Sequence, residues 1–127
     1  MNGKTILIAE DNASVAEEMV DILCMEGFET HTCINGLCVI EKAERILPDL
    51  IVSDYIMPKM NGADMLTELK RNPKLNKIPV LIISAHADKN FEKKMLSLGA
   101  AKFLVKPIDS DELTEAVMSL LNVKNSL

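Results

Sequence analysis

Apolar positions along the chain follow two different spacings. Ile6 to Ala9, Leu50 to Val52 and Val80 to Ile83 are unbroken apolar runs. Runs this short and continuous suit strands covered on both faces. Between them the apolar residues recur at helical intervals. Val15, Met19, Ile22 and Leu23 form one stripe, and Leu37, Ile40 and Leu47 a second, closed by Pro48. Met65, Leu66 and Leu69 face inward on a helix over 63–72, which Pro73 ends. Phe91, Met95 and Leu98 form a fourth stripe, and Leu113, Val117, Leu120 and Leu121 a fifth. The punctuation agrees. Gly27 and Gly99 are placed as helix stops, Pro79 introduces a strand, and Asp88 can cap the fourth helix. Asp109 and Glu112 have capping-box spacing before the fifth. Phe28 to Thr32 reads as a short polar strand near a sheet edge, and Lys102 to Val105 as the last strand.

Five rounds of strand then helix result. Crossovers of that length join parallel strands, and strands buried on both faces need helices on both sides. The pattern therefore predicts an α/β fold: an open, doubly wound, five-stranded parallel sheet. Ligands bind such sheets beyond the carboxyl ends of the strands. Strand one ends at Glu10 and Asp11, strand three at Asp54, strand four at Ser84, and strand five at Lys106 with Pro107 after it. Three carboxylates, one hydroxyl and one ammonium converge on one rim. Clustered carboxylates repel unless a cation intervenes. An oxygen-only donor set with few protein contributors suits Mg2+ or Mn2+, which also coordinates phosphate. One carboxylate is then free to attack phosphorus, with Lys106 and Ser84 holding phosphoryl oxygens.

Composition narrows the partners. A chain of 127 residues fits one domain, 1–127. A formal net charge of −5 argues against direct nucleic-acid binding or an anionic-membrane surface. No apolar run approaches the ~20 residues of a membrane span, and no secretory leader opens the chain. Cys24, Cys33 and Cys38 are odd in number and lack metal spacing, so they read as reduced thiols of a cytoplasmic protein. The eight methionines read mainly as gap-filling core. His31 reads as a surface strand residue, while His86 stands two residues beyond Ser84, close to the rim.

At these strand ends the sequence resembles the receiver domain of two-component response regulators. The likeness runs through "ILIAEDN", "LIVSDYIMPKMNG", "VLIISAHA" and "AAKFLVKPID", each at a strand end. It implies a flavodoxin-like strand order, 2-1-3-4-5, and a phosphorylation-dependent signalling switch. Asp54 is then the phosphoacceptor, supplied by a phosphohistidine on a partner histidine kinase or phosphotransfer protein. Asp11 would be a direct ligand of Mg2+, Glu10 would act through water, and the backbone carbonyl of Ile56 would complete the protein ligands. Ser84 and Lys106 match the hydroxyl and lysine that read the phosphoryl group. Phe103 matches the aromatic position whose rotamer follows activation, and the Lys106–Pro107 bond is expected to be cis. Such a domain catalyses only its own phosphorylation and dephosphorylation. It controls a downstream effector protein or domain through the face of the fourth helix, fifth strand and fifth helix, here carrying Lys89, Lys93, Leu96, Phe103 and Ala116. Ile56 and His86 are expected to flank the approach of hydrolytic water.

Two positions depart from the family pattern: Ser84 stands where threonine is common, and Phe103 where tyrosine is common. Other functions on this fold fit less well. A flavin site needs a hydroxyl- and glycine-rich phosphate loop after the first strand, but "EDNAS" would repel phosphate through Glu10 and Asp11. A receiver kept only as a scaffold would usually have lost Asp54 or Lys106. An aspartyl phosphatase would need a substrate pocket and a second acid for external substrates.

Overall fold

The computed structural model describes residues 3–85 and 88–122. Strands and helices alternate as β1 (Thr5–Ala9), α1 (Ala13–Met25), β2 (Glu29–Cys33), α2 (Gly36–Ile46), β3 (Leu50–Asp54), α3 (Gly62–Arg71), β4 (Val80–Ser84), α4 (Lys89–Ser97), β5 (Lys102–Val105) and α5 (Ser110–Leu121). All the pairings are parallel, and the sheet order is β2-β1-β3-β4-β5. The polar strand β2 is therefore an edge, as its composition predicts. The chain reverses its winding direction at β1, so the ends of β1 and β3 border the crevice where such sheets take ligands.

Strand side chains alternate between two cores. Leu7, Ala9, Ile51, Val80, Ile82 and Phe103 pack with Val39, Ala43, Met65, Leu66, Leu69 and Met95, beneath α2, α3 and α4. Ile6, Ile8, Leu50, Val52, Leu81, Ile83 and Leu104 pack with Met19, Leu23, Leu113, Ala116 and Val117, beneath α1 and α5. Covering on both faces is why the strands read as continuous apolar runs. Met19, Met57, Met65 and Met95 are buried, in keeping with gap-filling, whereas Met25 is 86% exposed. No described helix is long and apolar enough to cross a membrane.

Several local expectations need correction. The inner face of α2 is Gly36, Val39 and Ala43; Leu37 and Leu47 are exposed. Leu47 lies beyond the helix as its left-handed cap, at φ 47°. Small residues let α2 pack closely: a Cβ on Gly36 would lie 2.5 Å from the Met60 carbonyl oxygen. Asp109 occupies the N-cap of α5 but makes no side-chain cap bond. Asp111 and Glu112 in the first turn instead place charge near the positive end of the helix dipole. Phe103 and Ala116 belong to the cores rather than to an exposed face, whereas Lys89, Lys93 and Leu96 are exposed. Finally, Cys33 and Cys38 are joined as a disulfide, and Cys24 alone is free. The turn from β2 into α2 brings their Cα atoms to 5.6 Å, within the span of such a bridge. An odd cysteine count does not reveal that proximity.

Candidate functional site

Each site residue is placed by the end of a strand. Glu10 follows β1, is 2% exposed, and donates its backbone N–H to the Cys33 carbonyl at 3.0 Å. Its Oε2 accepts the Asn12 N–H at 3.1 Å, and Asn12 in turn caps α1 by accepting the Val15 N–H at 3.1 Å. The cap that starts α1 thus also orients the Glu10 carboxylate. Asp11, between them, is exposed. Asp54 closes β3 and is 8% exposed. The next residue, Tyr55, donates its N–H to the Ile83 carbonyl at 2.9 Å, and Ile56 reaches back to Asp54 Oδ1 with its N–H at 3.4 Å. That contact holds the Ile56 backbone at the rim, while the residue as a whole is 68% exposed.

Ser84 ends β4 opposite Val105 and is 1% exposed. Its carbonyl accepts the Lys106 N–H at 2.8 Å, so the lysine leaves β5 in register with the serine. The Lys106–Pro107 bond is cis, as expected. Lys106 Nζ donates to Asp54 Oδ2 at 3.0 Å and to Glu10 Oε1 at 3.1 Å. One ammonium therefore bridges the ends of β1 and β3. The structure thus brings Glu10, Asp11, Asp54, Ser84, Ile56 and Lys106 to a single edge of the sheet. His86 lies outside the described residues. His31 is on the edge strand, 3.0 Å from Glu29, away from Asp54 and Lys106 in the hydrogen-bond pattern.

The electrostatics are unbalanced. Glu10, Asp11 and Asp54 each offer an oxygen within 4.8 Å of the others. One lysine against three carboxylates leaves an excess of negative charge. Burial pushes the Glu10 carboxyl above its ordinary pKa, and the Asp54 charge adds to this; the bonds from Asn12 and Lys106 offset the rise only in part. Burial pulls the Lys106 ammonium down, but its bonds and attraction to Asp54 and Glu10 outweigh that, so its pKa ends above the ordinary value. An all-oxygen donor set with surplus negative charge fits a hard dication.

A row of aromatic rings links the rim to the last strand. Phe103 packs edge-on against Phe91, with centroids 5.7 Å apart, and Phe91 against Tyr55 at 4.6 Å. The chain has three phenylalanines and one tyrosine, and three of these four rings form this row. Tyr55 directly follows Asp54, so the row joins the rim to β5. Aromatic scarcity, with one ring beside Asp54 and one on the last strand, was the signal available.

A parallel 2-1-3-4-5 sheet with clustered acids and a lysine at its carboxyl edge defines a class of signalling domain. A family model described as the response regulator receiver domain matches residues 6–118. The chain belongs to this family, the receiver domains of two-component systems, which are signalling switches rather than enzymes acting on external substrates. It is 35% identical over 119 residues to chemotaxis protein CheY of Treponema pallidum, covering 91% of this chain and 81% of that protein. It is 34% identical over 125 residues to hybrid signal transduction histidine kinase D of Dictyostelium discoideum, covering 98% of this chain but 8% of that protein. It likewise spans 52% and 26% of two further curated relatives. Among solved structures, the receiver domain of a signal transduction histidine kinase from Syntrophus aciditrophicus aligns with a TM-score of 0.87 and 34% identity, covering 98% of this chain and 96% of that one.

Proposed function

We propose that this receiver domain is a switch set by phosphorylation of Asp54. The donor is a phosphohistidine on a partner histidine kinase or phosphotransfer protein. An Asp54 carboxylate oxygen attacks phosphorus, the phosphorus–nitrogen bond breaks, and the neutralised imidazole leaves. The supporting observation is the lysine bridge: Lys106 touches Asp54 and Glu10 at 3.0 and 3.1 Å. An ammonium already on the nucleophile's carboxylate is placed to follow the oxygens of an incoming phosphoryl group. Ser84, at the next strand end, supplies the neutral hydroxyl donor.

Asp11 and Asp54, with the Ile56 carbonyl, would hold Mg2+ or Mn2+ directly, and Glu10 would act through water. Such an ion would supply neutralisation of the negative charge gathered at the rim. Glu10 serves also by holding Lys106 in place, and Asn12 by holding Glu10. Ile56, with its branched apolar side chain, shields the acyl phosphate from in-line water and lengthens the life of the phosphorylated state.

The response travels toward α4, β5 and α5. Phe103 is already buried against Phe91, so the change we infer is a repacking of the Tyr55–Phe91–Phe103 row. Once Lys106 and Ser84 turn to the phosphoryl group, that row and the α4 surface of Lys89, Lys93 and Leu96 move together, and a downstream effector protein or domain reads the surface. The test is intact mass after incubation with a small acyl phosphate and Mg2+. A single phosphoryl adduct is expected on the wild-type chain and none on Asp54→Asn. An equal adduct on both would overturn the assignment.

A further inference from the structure

We propose that Cys33 and Cys38 form a reversible dithiol–disulfide pair, oxidised by low-molecular-weight disulfides, whose state is passed to the acidic rim through the Glu10 backbone. The pair bridges the end of β2 and the first turn of α2 across a turn of two residues, Ile34 and Asn35. The Cα separation of 5.6 Å allows closure with little backbone movement. The two thiols are not equivalent. Cys33 is buried, whereas Cys38 is half-buried and reachable. Cys38 also lies in the first turn of a helix, where the positive end of the backbone dipoles favours anions, and a thiolate is the attacking species.

These positions assign the roles. The Cys38 thiolate attacks one sulfur of a disulfide RSSR, forming a Cys38–SR mixed disulfide and releasing one thiolate. Cys33 then loses its proton and attacks Cys38 Sγ, releasing the second. Two protein thiols and RSSR become one protein disulfide and two RSH; the protein loses two electrons and RSSR gains them.

The bridge lies beside the site on two sides. The carbonyl of Cys33 accepts the Glu10 N–H at 3.0 Å, so fixing Cys33 fixes the backbone that presents Glu10. At the other end, Gly36 packs on Met60, in the segment that joins Asp54 to α3. Oxidation therefore ties the strand beside Glu10 to the helix resting on the loop after Asp54. Cys24 is exposed on α1 and lies 3.6 Å from the Thr30 hydroxyl, outside this arrangement.

The test uses the full chain equilibrated in glutathione buffers of graded reduced-to-oxidised ratio, then acid-trapped, alkylated and weighed. Alkylated thiols should fall from three to one in a single two-electron transition. Cys24→Ser should retain the transition, and Cys38→Ser should abolish it. Hydrogen exchange at the Glu10 amide should slow ~tenfold in the oxidised form. Three alkylated thiols at every ratio would overturn the proposal. So would a transition lost in Cys24→Ser, or identical Glu10 exchange in both forms. None of these readouts depends on phosphorylation, so failure here leaves the role of Asp54 separately testable.

Discussion

Replacing Asp11 with asparagine should reverse its effect on stability according to whether a divalent cation is present. The Asp11 carboxylate has an oxygen within 4.8 Å of oxygens on Glu10 and Asp54. At that separation, in the water-like dielectric of an exposed group, like charges repel by about 0.9 kcal/mol per pair. Lys106, bonded to both neighbours, offsets part of the total, so Asp11→Asn should relieve on the order of 1 kcal/mol. In EDTA at low salt, urea unfolding should show a higher midpoint for the variant at unchanged slope, with a melting temperature raised by about 3–5 °C. Mg2+ should then stabilise the wild type by mass action, about 2.7 kcal/mol at a hundredfold excess over its dissociation constant. The variant should gain much less, so the ranking inverts. Asp64→Asn is the control. That acid lies in the first turn of α3, where losing charge should cost about 0.3–1 kcal/mol in either buffer. If Asp11→Asn is no more stable than wild type in EDTA, the repulsion inferred from the cluster is wrong. If it gains as much from Mg2+ as the wild type, Asp11 is not a ligand.

Lys106→Ala should still accept a phosphoryl group, but the chemical-shift changes at Phe91 and Phe103 seen in the phosphorylated wild type should disappear; their persistence would remove the lysine as the relay. Ile56→Asn should speed loss of phosphate by about tenfold or more, since an amide can orient water where the exposed isoleucine cannot; a time course in Mg2+ showing an unchanged or slower rate would refute the shielding role. Gly36→Ala should destabilise by about 1–3 kcal/mol, because its Cβ meets the Met60 carbonyl at 2.5 Å; a melting temperature equal to wild type would mean that α2 shifts freely.

The sheet and its rim were legible because their signals are local. A strand covered on both faces must be apolar throughout, so β1, β3 and β4 announced themselves, and whatever followed each run had to lie on the carboxyl edge. That logic places Glu10, Asp11, Asp54, Ser84 and Lys106 together from the sequence alone. What stayed hidden depends on close approach. Hydrophobicity placed Leu37, Ile40 and Leu47 on one stripe of α2; Ile40 does pack partly against the core, but Leu37 and Leu47 are exposed, and Gly36 and Ala43 are buried because the helix packs close. The Cys33–Cys38 bridge closes across a strand-to-helix turn, and parity alone hides it. The aromatic row depends on α4 laying Phe91 between Tyr55 and Phe103, a packing detail that period analysis does not encode.

The arrangement of charge at the rim explains why so unfavourable a cluster persists. Strands paired in parallel all end on the same edge, so acids placed after β1 and β3 cannot avoid one another. Burial of Glu10 makes this worse, as its raised pKa records. Lys106 relieves part of the repulsion by bridging Glu10 and Asp54, but Asp11 receives no such bond in the described pairs. A site built only for stability would place a second cation there or remove an acid. Under the proposed function, leaving the deficit in place would favour a dication and would keep Asp54 beside an ammonium that a phosphoryl group can draw away. The two buried cores tolerate the residual strain at the edge, because a repulsion of about 1 kcal/mol is less than the loss from truncating one large core side chain such as Leu66.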